Sequence, residues 1–200
     1  MRLTRIGYYV DFWLYPLLIL ALTVAAFRTT ELRHALYWSS AFLIGVVSWT
    51  LLEYTLHRLV LHHAPYFAAM HERHHDDPSG MIGAPTWLSV GVGVVSVLLP
   101  VWALLDFAFA SGLTAGVMLG YLWYISVHHA SHHWLPKRGS YLHEARLRHL
   151  RHHYSREAGN FGVTTPLWDW VFGTALDERR RGEPRREIDA SGDPGDMSFG

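Results

Sequence analysis

The stretch "WLSVGVGVVSVLLPVWALLDFAFASGLTAGVMLGYLWYISV", residues 87–127, holds a single Asp, Glu, Lys, Arg or His in forty-one positions, Asp106. A bilayer core takes about 20 predominantly apolar residues per helix, so the two parts around Asp106, 87–105 and 107–127, each suffice for one crossing. Two charge-free runs precede them, "WLYPLLILALTVAAF" at 13–27 and "ALYWSSAFLIGVVSWTLL" at 35–52. Four fully buried runs in a soluble chain of 200 residues would leave too little sequence to cover them. The sequence therefore predicts an all-α integral membrane fold of four transmembrane helices. The first run, with Arg2 and Arg5 ahead of it, also fits a signal peptide; its end, "VAAFRTTELRH", offers no convincing small-x-small cleavage site, so it is read as a span.

Charge sets the expected topology. Formal net charge is zero, with seventeen basic and seventeen acidic residues, which gives no reason to expect nucleic acid as a partner. Fifteen of the seventeen Lys and Arg lie before the first run, in 53–86 or after 127, and the other two, Arg28 and Arg33, lie in the first turn-around. An even number of spans then places both termini and all His-rich segments on the cytoplasmic side, at a bacterial inner membrane or the endoplasmic reticulum. The absence of cysteine leaves imidazole and carboxylate as the strong metal ligands.

Fifteen histidines are the compositional anomaly, and apart from His34 they fall into three groups. The first is "HRLVLHHAPYFAAMHERHH", after the second run, with His57, His62, His63, His71, His74 and His75. The second is "YISVHHASHHW", after the fourth, with His128, His129, His132 and His133; the third is "LHEARLRHLRHH", with His143, His149, His152 and His153. Positions three or four apart share a helix face, so His71 with His74 and His75, His128 with His132, and His149 with His152 and His153 each present paired imidazoles. His57 and His62 are five apart, about 140° around an ideal helix, and need a helix end, a bulge or two different metals. A lone histidine is ordinarily a hydrogen-bonded surface residue. Ten in repeated H-x₂-H-H or H-x₃₋₄-H spacing form a ligand set, and ten exceed the roughly four donors of one zinc, which implies two ions.

Within the first group, "MHERHHDDP" at 70–78 reads either as H-E-x-x-H, a metalloprotease helix with Glu72 as base, or as H-x-x-H-H, part of an all-histidine site. Together "HRLVLH", "HERHH", "HHASHH" and "HLRHH", with the closing "HLRHHYSREAGNFGVTTPLWDWVFGT" at 149–174, resemble the histidine boxes of the fatty acid hydroxylase superfamily, which includes sterol desaturases, alkylglycerol monooxygenase and β-carotene hydroxylases. The resemblance covers residues 53–174. It implies a dimetal centre, iron or else zinc, capping the membrane helices on the cytoplasmic side, and the second reading of Glu72.

Carried over residue by residue, the resemblance implies His57, His62, His71, His74, His75, His128, His132, His149, His152 and His153 as ligands. His129 and His133 have the same spacing as His128 and His132 and remain the alternative pair. Tyr124 holds the place of a tyrosine common in the fatty acid branch. The implied activity is O2-dependent hydroxylation, or desaturation, of a C–H bond in a fatty acyl, sterol or carotenoid lipid. The implied electron source is a separate protein of the cytochrome b5, ferredoxin or reductase type, because no attached cytochrome b5 domain is evident.

Asn160, the sole asparagine, reads equally as a hydrogen-bond support for a ligand imidazole or as a left-handed turn residue. Asp169 is a candidate to orient a ligand histidine, with Trp168 and Trp170 as interfacial anchors. "GVGVVS" at 91–96 lies in an apolar run with no preceding strand and is no dinucleotide loop; "GLTAGVMLG", with Gly112, Gly116 and Gly120, suits close helix contact. Residues 1–176 form one expected domain and 177–200 a disordered cytoplasmic tail whose arginines could meet anionic lipid. Two rivals remain: a metal transporter, which would need ligands inside the spans, and a membrane protease, which would need a buried acid as third ligand. The apolar runs show neither.

Overall fold

The computed structural model describes residues 2–27 and 32–176; the expected tail, 177–200, lies outside the described residues. Among the described residues eight α-helices follow in order: α1 Arg5–Phe27, α2 Leu32–Thr55, α3 Pro65–Asp76, α4 Thr86–Gly93, α5 Leu99–Leu104, α6 Phe107–His133, α7 Tyr141–Tyr154 and α8 Leu167–Val171. π-helical segments at Leu56–Leu61 and Val94–Leu98 extend α2 and join α4 to α5. Among the described residues there is no strand, only an isolated bridge between Arg2 and Ile82. It ties the start of the chain to the loop that follows α3.

Among the described residues four helical stretches are long and apolar enough to cross a membrane: Arg5–Phe27, His34–Leu61, Thr86–Leu104 and Phe107–His133. The first, second and fourth contain the expected runs 13–27, 35–52 and 107–127 and extend past them, while the third covers 87–105 up to Leu104. At about 1.5 Å per residue the 27 residues of α6 reach about 40 Å, about 10 Å more than the hydrocarbon core. That surplus carries His128, His129, His132 and His133. The second and fourth stretches thus continue from apolar run into histidine box: His57, His128 and His132 lie past the runs 35–52 and 107–127, near the ends of those stretches.

Asp106, the lone charge in the opening stretch, is the N-cap of α6, its Oδ1 accepting the Phe109 N–H at 2.8 Å. Such a cap satisfies one orphan donor and favours the helix dipole. The small-residue face of α6 meets α2 of the same chain. A Cβ at Gly116 would overlap the Phe42 carbonyl oxygen, and one at Gly45 the Leu113 carbonyl, so the two backbones approach as only glycine permits.

Two buried carboxylates depart from expectation. Asp11 of α1 accepts from Thr86 and, at 2.7 Å, from the Tyr121 hydroxyl, joining α1, α4 and α6. Glu53, at the end of α2 and 3% exposed, is the second. The sequence reading found no buried acid because it ended the spans where the charge-free runs end; neither acid contributes to the imidazole groups described next.

Candidate metal centre

Four structural segments deliver the histidines: the π-helical turn, α3, the end of α6 with His128 and His132, and α7. The π-helical segment Leu56–Leu61 adds a residue to the turn, as π-bulges at functional sites do, and so brings His57 and His62 to one side with rings stacked at 5.3 Å. This resolves the five-residue spacing: the bulge is real, and one group takes both rings. Pro65 starts α3, where its missing N–H costs nothing, and α3 presents His71, His74 and His75. Ser140 caps α7, accepting from His143 N–H. Val127, Ala145 and Val163 then pack as one buried cluster that seats α7 against α6.

The imidazoles converge in two groups whose potential ligand atoms lie within 4.8 Å of one another: His57, His62, His71 and His152 in one, His74, His128, His132, His149 and His153 in the other. His75, the tenth expected ligand, lies between them, its Nε2 3.1 Å from that of His71 and its ring stacked on His153 at 4.1 Å. His129 and His133 stand apart from both groups. They stack on each other at 4.3 Å, and His129 Nδ1 pairs with the Tyr8 hydroxyl at 3.0 Å. Tyr124 stacks on His128 at 5.7 Å, one turn nearer the membrane interior.

The donor atoms fit bound cations. His57 Nδ1 lies 2.6 Å from the Phe161 carbonyl and His152 Nδ1 2.9 Å from the Gly159 carbonyl. A carbonyl only accepts, so each Nδ1 carries the proton and each Nε2 lone pair faces inward. Yet His57 Nε2 lies 3.0 Å from His71 Nε2, and His62 Nε2 3.2 Å from His152 Nε2. In the other group His149 Nε2 approaches both His132 Nε2, at 2.8 Å, and His153 Nε2, at 3.1 Å; one proton cannot bridge both. Metal–nitrogen bonds of about 2.0–2.1 Å meeting near a right angle put neighbouring nitrogens about 3 Å apart. Both nitrogens of His74 are buried without a hydrogen-bond partner, which suits a ring whose lone pair binds a cation.

Electrostatics agree. Burial, then the neighbouring imidazoles, pushes His62 down to about 4 and His74 to about 3. Burial likewise lowers His152 to about 3 and His153 to about 2, and holds His71 and His149 well below the ordinary histidine value. All are neutral near pH 7, the form that binds metal. Glu72 is exposed and supplies no atom to either group, so the H-E-x-x-H arrangement is not assembled.

The loop after α7 differs from its expected roles. Asn160 has φ 54° and bonds backbone groups, its Oδ1 accepting from Leu176 N–H at 3.0 Å, so it is a turn residue. The turn lies between the two carbonyls, of Gly159 and Phe161, that hold His152 and His57. Asp169 touches no imidazole; it accepts from Phe161 and Gly162 N–H at 2.9 and 2.8 Å. Trp168 bonds Thr50 of α2 at 3.0 Å, while Trp170 is exposed. Glu53 and the two carbonyls went unnoticed in the sequence: the first ends an apolar run without any motif, and backbone oxygens carry no sequence signal.

The sequence profile of the fatty acid hydroxylase family matches residues 42–174. Fatty acid 2-hydroxylase of Macaca fascicularis is 33% identical over 150 residues, 69% of this chain and 40% of that protein. Dihydroceramide fatty acyl 2-hydroxylase FAH2 of Arabidopsis thaliana is 35% identical over 144 residues, 65% of this chain and 58% of that protein. In three dimensions the chain is similar to the visible hydroxylase domain of full-length scs7p, with TM-score 0.71 and 29% identity over 86% of this chain and 67% of that one. The chain thus spans about 40% of the length of its mammalian relative. With the profile covering most of its length, and with four membrane-crossing helices carrying clustered imidazoles, this chain belongs to the fatty acid hydroxylase family.

Proposed function

We propose that residues 1–176 form a membrane-embedded oxygenase domain that hydroxylates a fatty acyl chain at the carbon next to its carbonyl. The observation that carries the reading is the convergence of nine imidazoles from four separated segments into two groups with inward nitrogens. Relatives named as fatty acid and dihydroceramide fatty acyl 2-hydroxylases supply the substrate class. Overall, substrate R–H, O2, two electrons and two protons give R–OH and water. A donor protein supplies the electrons. Two iron ions, held by the ten histidines, would supply the reduction of O2 that this balance requires; zinc suits the same nitrogens but has no redox chemistry.

The chain's own contribution is positioning and exclusion of water. His57 and His149 are 2% and 1% exposed, so the groups are closed from their protein side. Their neutral rings add no charge to the site. On the membrane side Tyr124, Trp49 and Tyr121 form an aromatic contact chain that begins against His128. An acyl chain lying among the spans would meet the imidazoles past this aromatic edge. The charge distribution favours the cytoplasmic side for the site, where a soluble reductant can approach.

Expression in a host under air with a competent reductase, followed by mass spectrometry of total lipid, tests the reading. The expected product is a fatty acyl lipid one oxygen heavier, with that oxygen from ¹⁸O2. Unchanged lipid in every class, from protein shown to carry iron, would overturn it.

A further inference from the structure

We propose that Glu53 and Asp169 form a two-carboxylate clasp that positions His57 and His152, and through them one of the two metal sites. The inference rests on the dimetal reading above. Four consecutive backbone N–H groups, residues 161–164, end on these two side chains. Asp169 accepts from Phe161 and Gly162 at 2.9 and 2.8 Å; Glu53 accepts from Val163 and Thr164 at 2.7 and 2.8 Å. Glu53 also accepts from the Thr164 hydroxyl at 2.5 Å, and Asp169 from the Thr174 hydroxyl at 2.7 Å. Asp169 is 1% and Glu53 3% exposed.

Buried carboxylates are costly unless such donors satisfy them, so the loop and the two acids fix one another. One acid comes from the end of α2 and the other from α8, which spans the loop from both sides. The loop in turn presents the Phe161 and Gly159 carbonyls to His57 and His152. Both imidazoles belong to the four-histidine group; no carbonyl of this loop reaches an imidazole of the other group. The chain of contacts therefore runs carboxylate, backbone amide, carbonyl, Nδ1–H, with Nε2 left to the ion. Gly162 closes the arrangement, since a Cβ there would meet the Thr165 carbonyl and Asp169.

Supports one step behind a metal ligand typically change affinity by about 10–100-fold. The test is Co²⁺ titration of full-length, metal-stripped protein in detergent, following the ligand-field spectrum, with His62→Ala and His132→Ala assigning each binding phase to its group. Asp169→Asn puts an N–H against a backbone N–H and should weaken the four-histidine phase by about 10–100-fold, leaving the five-histidine phase unchanged. Glu53→Gln keeps an oxygen for both backbone donors, and the Thr164 hydroxyl can turn to accept; it should weaken the same phase less, and it supplies the test should Asp169→Asn fail to fold. Wild-type affinity at both phases in folded variants, or equal weakening of both, overturns the clasp. A wild-type protein that binds fewer than two ions overturns the dimetal reading instead, a result seen before any variant is made.

Discussion

The two imidazole groups use the same side chain but are built in different ways. The group of His74, His128, His132, His149 and His153 takes its members from regular α-helix, where i, i+4 spacing on α6 and α7 aims two rings at once. Its Nδ1 atoms at His149 and His153 have no hydrogen-bond partner, so no backbone carbonyl orients those rings from behind. The group of His57, His62, His71 and His152 breaks helical regularity at Leu56–Leu61 and borrows carbonyls from the loop after α7. One site is aimed by helix geometry and the other by a clamped loop, which means they should fail under different perturbations.

The harshest way to break the comparison is His149→Ala, which removes the 1% exposed ring that approaches both His132 and His153. Loss of an ion from the five-histidine group and of all product above background is expected, measured by metal analysis and lipid mass spectrometry. Acidification acts on both groups. Their rings are neutral in the folded chain, while unfolded histidine protonates near 6.5, so stability and metal affinity are full above that pH. Both fall as the pH drops toward about 4, where His62 protonates, and further toward about 3 for His74 and His152. Metal retention and thermal stability measured from pH 7.5 to 4.5 check the sign; a loss on raising the pH through this range would contradict it.

Gly162→Ala sharpens the contrast. It should loosen the four-histidine site by about 10-fold or more through its carbonyls and spare the other site, read by the two phases of Co²⁺ binding. Smaller still is His129→Ala, which should leave metal content intact and cost the contacts to Tyr8 and His133; loss of an ion would reinstate the alternative pair. Glu72→Ala should change neither metal content nor product, and an abolished activity with metals bound would revive its role as a base.

Much of the five-histidine group could be read from the sequence because helical periodicity is local: once α6 and α7 are granted, His128 with His132 and His149 with His153 must share faces. The choice of His128 over His129 could not be read that way, since both pairs have identical spacing. It is decided by which face of α6 meets α7, with Val127, Ala145 and Val163 packed there and His74 of α3 against His128.

The sequence by itself determined four membrane-crossing helices, because apolar length is a property of contiguous residues and lipid imposes it directly. It also determined that metal chemistry here rests on imidazole and carboxylate, because the sequence holds no cysteine, and that imidazole comes in helix-spaced clusters. Tertiary structure decided the rest: that a π-helical turn reconciles His57 with His62, that Asn160 is a turn, and that Asp169 and Glu53 hold amides rather than imidazoles. These depend on where backbone N–H and C=O groups from distant segments meet. Every residue carries those groups alike, so no pattern of side chains announces them.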